Sequence, residues 1–143
     1  MQEWKDSAAK TVPDVVDRAG FSYHVAGDLL IFRLDTGYLN NMNEDQPKLM
    51  REVCLQFPEH VKIAVYHEPI YPERYPRPDG AHTSSSKVRT IGLKAWVPIF
   101  DEFGFLVAFE NHEHNFKRTK PLINDKPDPC GTYYLGDGAW GIE

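Results

Sequence analysis

FLVAFENHEHNFKRT, Phe105 to Thr119, decides how this chain is read: an apolar run, Phe105 to Phe109, leads straight into two histidines one residue apart. Side chains at i and i+2 of an extended segment face the same way, so His112 and His114 point into one pocket while Glu113 points elsewhere. Neutral imidazole is the commonest protein ligand for zinc, iron and similar ions, and the pair reads as the end of a buried strand delivering two imidazoles to a metal site. The competing reading of any His-x-His is two solvated loop histidines. A second strand that ends the same way favours the metal reading. Val61 to Tyr66, VKIAVY, is short and β-branched, and His67, Glu68 and Pro69 follow at once. If the two strands are parallel, His67 joins His112 and His114 at a shared carboxyl-end crevice, where open α/β sheets place their sites.

The segment between these strands carries the crossover. Val88 to Phe103 has Ile91, Ala95, Ile99 and Phe103 at spacings of four, which predicts one helix kinked at Pro98 and ended by Gly104. The β-α-β order favours parallel strands. Before that helix, Glu68 to Lys87 is a long proline-rich loop that holds His82, a secondary candidate for reaching the site. Its serines, Ser84 to Ser86, lack a nucleophile-elbow pattern and read as a polar turn and cap.

Upstream, Phe21 to Val25 and Leu29 to Leu34 flank a Gly27-Asp28 turn and read as a hairpin. Asp35 follows; turn formation by a local carboxylate is the stronger reading there, and a ligand or base the weaker. A helix is expected from about Pro47 to Phe57, stopped by Pro58. Residues 1–20 form an amino-terminal segment with a short helix over Pro13 to Ala19, and residues 21–143 form the domain proper. Downstream, Pro121 to Gly131 reads as a polar connection and Thr132 to Leu135 as a last strand before a glycine-rich turn.

A chain of 143 residues suits one domain that buries roughly two thirds of its unfolded surface. The net charge of −5 argues against nucleic acid or an anionic membrane as the main partner. Lys117, Arg118 and Lys120 nonetheless gather beside the histidines, which suits either an anionic ligand or a solvated turn. Two cysteines, Cys54 and Cys130, are too few for a disulfide scaffold. No apolar run reaches membrane-spanning length, and MQEWKDSAAK has no signal-peptide character; the compartment stays unknown.

Taken in order, VYHEPIYP (Val65 to Pro72), AWVPIFDEFGFLVAF (Ala95 to Phe109), NHEHNFKRT (Asn111 to Thr119) and TYYLGDGAWG (Thr132 to Gly141) resemble the carboxyl-terminal half of the purple acid phosphatase-like metallophosphoesterases, the calcineurin-like superfamily. LDTG, Leu34 to Gly37, also looks like that family's strand end. Departures are Asn111 for the usual Gly, Phe116 for Tyr and Lys117 for Glu. The last two are expected to alter packing and charge around the ligands more than coordination itself.

The resemblance implies an α/β fold: part of a β-sandwich flanked by helices, roughly the carboxyl-terminal half of a four-layer α/β/β/α domain. It implies a hydrolase with acid phosphatase-like action on phosphomonoesters, in which a metal-bound hydroxide attacks. Divalent or trivalent ions, Fe, Zn or Mn, would be the cofactors. His67 and His112 would bind one ion of a two-metal centre and His114 the other, with His82 as a secondary candidate for contacting substrate. The family's remaining ligand motifs belong to its amino-terminal half, and no Asp-x-His or Gly-Asn-His occurs here. Such centres need a bridging carboxylate to hold the ions about 3.5 to 4 Å apart. The expected partners are therefore a phosphate ester and the missing amino-terminal half of the domain. The alternative is a non-catalytic metal-binding or interaction domain derived from the same fold.

Overall fold

In the computed structural model, residues 20–37, 42–72, 86–114 and 116–136 are described, and the side chain of Ser86 is left out. The short helix expected over residues 13–19, the closing glycine-rich turn and His82 lie outside them.

The expected hairpin is present as β1 (Ser22–Ala26) and β2 (Leu29–Arg33), paired antiparallel. Helix α1 (Asp45–Gln56) leads to β3 (Val61–Tyr66), which pairs parallel with β2. Helices α2 (Ser86–Ala95) and α3 (Val97–Phe103) lead to β4 (Phe105–Glu110), parallel to β3. Two-residue strands follow, β5 (Lys117–Arg118), β6 (Leu122–Ile123) and β7 (Lys126–Pro127), and then β8 (Tyr133–Gly136). Strand β8 lies parallel to β4 and antiparallel to β5, completing a six-stranded sheet of order β1-β2-β3-β4-β8-β5. The architecture is the mixed α/β expected: mostly sheet, with a few helices.

The single kinked helix expected over Val88 to Phe103 is instead two helices that break at Trp96. Proline has no N–H to donate, and its ring crowds the carbonyl four residues back, so a helix restarts more readily at Pro98 than it passes through it. Trp96 accepts at its carbonyl from both Ile99 N (2.9 Å) and Phe100 N (3.0 Å), opening the new helix. Its own ring is fully buried, edge-on to Tyr66 at 5.3 Å, with Nε1 donating to the Met42 carbonyl at 2.8 Å. Gly104 then closes α3 in the left-handed conformation, φ 63°.

In-register neighbours Tyr23, Phe32, Ala64, Ala108 and Tyr134 share one sheet face, and all are buried. They belong to one cluster with Met50, Val53 and Cys54 from α1 and with Trp96, Ile99 and Phe100 from the later helices. Burial on this scale is the main stabilising term, about 1.5–3 kcal/mol for each large apolar side chain. The opposite face carries Ile31, Ile63 and Val107 in one row and Val65, Phe109 and Leu135 in the next. None of these six belongs to the core cluster, and all but Val107 are only partly buried. Among the described residues the other sheet is the β6–β7 ribbon, whose Leu122 packs against the core cluster.

That ribbon occupies the connection read as irregular. Its two turn residues, Asn124 (φ 50°) and Asp125 (φ 60°), both take the left-handed conformation that tight hairpins require. Asn and Asp tolerate that conformation better than other side chains, which is why an Asn-Asp pair turns here without glycine. Among the described residues no helix is long and apolar enough to cross a membrane.

Candidate functional site

The parallel register of β3 and β4 places Tyr66 opposite Glu110, so both strands leave the sheet at the same level. The residues that follow are clasped by backbone. The His67 carbonyl accepts from the N–H groups of Asn111 (3.0 Å) and His112 (2.8 Å), and the Asn111 side-chain amide donates to the Tyr66 carbonyl at 3.0 Å. This clasp is what local sequence could not display, because it joins residues more than forty positions apart.

At the clasp the two imidazoles meet. His67 Nε2 and His112 Nδ1 are 2.9 Å apart, with the rings edge to face at 80°. Burial, and then the neighbouring His112 and His114, hold His67 below the usual imidazole value, with Glu68 opposing. A neutral ring in that position has a lone pair to offer an ion. His114 stands exposed on the bend that follows, while Glu113 turns inward and is buried. These residues form bends rather than the extended strand end expected, with Glu113 the buried one of the three. His82 lies outside the described residues, and nothing further bears on it.

Beside the histidines, one expectation is overturned. Lys117 does not offer its charge to an anion: its side chain is 7% exposed, paired with Glu110 at 2.7 Å and near Glu113 at 3.7 Å. The cause is a lysine on a strand facing inward, where desolvation requires a counter-charge. Arg118, next along, lies over the Tyr133 ring at 5.1 Å. Phe116 is 83% exposed, so the expected effect on packing around the ligands is absent at that side chain. Asp35 makes a turn as expected, its Oδ1 accepting from Gly37 N at 3.2 Å, while buried Gln46 clasps its backbone on both sides at 2.9 and 2.8 Å. The adjacent Thr36 hydroxyl accepts from Glu68 N at 3.2 Å and ties this turn to the histidine edge.

Sequence reasoning missed the carboxylate beneath the site. Glu110 is 1% exposed, and its Oε1 accepts from Tyr66 OH (2.7 Å), Ile70 N (2.7 Å) and Tyr71 N (3.3 Å). The available signal was a glutamate at the last position of an otherwise apolar strand.

As a metal centre, this arrangement is partial. Two nitrogen donors in contact suit a borderline ion such as zinc or iron. Among the described residues, however, no group of three or more His, Cys, Asp and Glu side chains is set to hold an ion. The donors present fit one edge of such a centre and not the whole, so no catalytic step is derived through it.

No family model matches the chain. A stretch of 35 residues, 23% of the chain, is 49% identical to purple acid phosphatase 21 of Arabidopsis thaliana and covers 8% of that protein. The structure of a purple acid phosphatase isolated from yellow lupin (Lupinus luteus) seeds matches 83% of this chain with a TM-score of 0.56 at 14% identity. The chain spans 23% of that lupin protein. At this identity the likeness establishes the fold: the chain has the architecture of part of a purple acid phosphatase.

Proposed function

We propose that this chain supplies the carboxyl-terminal half of a metal-dependent phosphoesterase domain that hydrolyses phosphomonoesters. His67, His112 and His114 are the nitrogen ligands of this half, and the bridging carboxylate comes from polypeptide outside it. The observation that carries the reading is the contact between His67 and His112, two strand-end imidazoles 2.9 Å apart at the carboxyl edge of a parallel sheet. The order of the four motifs supports it, as do the sequence likeness over 35 residues and the fold likeness over 83% of the chain.

When bound, a pair of ions supplies Lewis acidity and an activated water. This chain's part is to present neutral imidazole nitrogens at fixed spacing. Burial and the neighbouring histidines lower the pKa of His67, which favours its neutral form. The backbone clasp from the His67 carbonyl to Asn111 and His112 keeps the rings together. His82 is assigned, at lower rank, to contact with substrate.

The test is p-nitrophenyl phosphate turnover by the natural full-length protein and its His112→Ala variant. Loss of about a hundredfold or more is expected on removing a ligand. Unchanged turnover would sink the assignment. The second reading is a metal-binding or interaction domain without catalysis, in which the contacting His67 and His112 are the nitrogen ligands. Under that reading the 143-residue chain binds one divalent ion with roughly micromolar affinity and shows no turnover.

A further inference from the structure

Behind the histidine pair lies a buried set of charges that the proposed function leaves unused. Glu110 Oε2 and Lys117 Nζ are 2.7 Å apart, with 0% and 7% of their side chains exposed. Between them they reach both histidine-bearing segments. On the side of His67, Glu110 accepts from Tyr66 OH and from the N–H groups of Ile70 and Tyr71, while Lys117 Nζ donates to the Tyr71 carbonyl at 2.7 Å. On the side of His112, Glu110 sits two residues before that histidine, and Lys117 Nζ faces Glu113, the residue after it, at 3.7 Å.

A buried ion pair adds little stability over apolar side chains of the same volume, because desolvating two charges offsets their attraction. Its directional bonds do impose geometry on whatever they touch. Here they touch two segments that, among the described residues, lack strand pairing of their own beyond the clasp at His67. The fold also makes room for the lysine. A Cβ added at Gly136, directly opposite Lys117 in the β5–β8 register, would lie 2.8 Å from Lys117 Cγ and 3.1 Å from the Glu110 carbonyl.

We infer that Glu110 and Lys117 are positioning residues: their buried ion pair draws the segment after His67 and the segment after His112 together and so holds the two imidazoles in contact. The proposal takes its use from the reading of those histidines as ligands, but its test does not depend on that reading.

The experiment uses the full chain, free of metal, and reads the NMR cross-relaxation between the His67 and His112 rings, well below the thermal midpoint. Cobalt(II) titration of the same samples follows. The wild type shows the ring-to-ring signal. Lys117→Met cuts it by more than half and weakens cobalt binding about tenfold to a hundredfold, while Lys117→Arg restores much of both. Should Lys117→Met not fold, Gly136→Ala carries the test, since it keeps both charges and presses chiefly on the lysine stem, with the Glu110 carbonyl next nearest; the same loss is expected. A ring signal that persists in either folded variant overturns the proposal, even if the melting temperature falls, because the pair would then be structural only. Loss of the ring contact together with an absence of cobalt binding in the wild type supports the brace and rejects the metal reading instead.

Discussion

The two faces of the sheet both carry apolar rows and end in different surroundings. On one, Phe32, Ala64, Ala108 and Tyr134 lie in register and are sealed in one cluster with Trp96 and Phe100. On the other, Ile31, Ile63, Val65, Phe109 and Leu135 stand partly exposed and outside that cluster. A sheet that meets water on one side alternates apolar with polar residues, whereas one covered on both sides reads as a continuous apolar run. LLIF in β2 and VAF in β4 are of the second kind. The contrast teaches that strand composition records the cover a sheet is built for, and that the described residues supply that cover on one face.

The sharpest way to break this contrast is Trp96→Ala. Truncating a fully buried aromatic removes its packing and strands the Met42 carbonyl that accepts from it, so a loss of about 3–5 kcal/mol is expected in urea unfolding. Phe109→Thr on the other face should cost under about 1 kcal/mol in the same assay. Equal losses would mean that the second face is closed after all.

A smaller effect sharpens the description of the sealed side. Gly92 lies within α2, where glycine ordinarily costs about 1 kcal/mol against alanine. A Cβ there would come within 2.5 Å of Ile70, which is fully buried and donates its N–H to Glu110. Gly92→Ala should therefore destabilise by about 1–3 kcal/mol despite the better propensity. A stabilised variant would show that α2 packs less closely than described.

The mildest probe leaves the sequence unchanged. Burial pushes the Cys54 thiol up to about 11, so at pH 8, well below that value, almost none is thiolate. Cys130 is exposed. Ellman's reagent should label one cysteine in the folded chain at pH 8 and both in urea. Rapid labelling of two would place Cys54 at a surface.

How much was legible follows from how local each signal is. The hairpin, α1, β3 and β4 were visible because periodicity, Pro and Gly mark them within a few residues. The break at Trp96 was half visible, since Pro98 announced a disturbance but not a restart. The β6–β7 ribbon was missed because Asn124-Asp125 lacks the usual glycine. His67 and His112 were singled out by their place at strand ends, while Glu110 looked like any residue closing a strand, and Lys117 like part of a solvated basic cluster.

The sequence alone determined the hairpin, α1, β3 and β4, and that histidines follow two of the strands, since those are matters of local pattern. Only the tertiary structure decided that His67 and His112 touch, and that Lys117 turns inward to Glu110. The reason is physical: whether a charge meets water or a counter-charge depends on strand pairing between residues far apart in the chain, and the cost of desolvation then selects the partner.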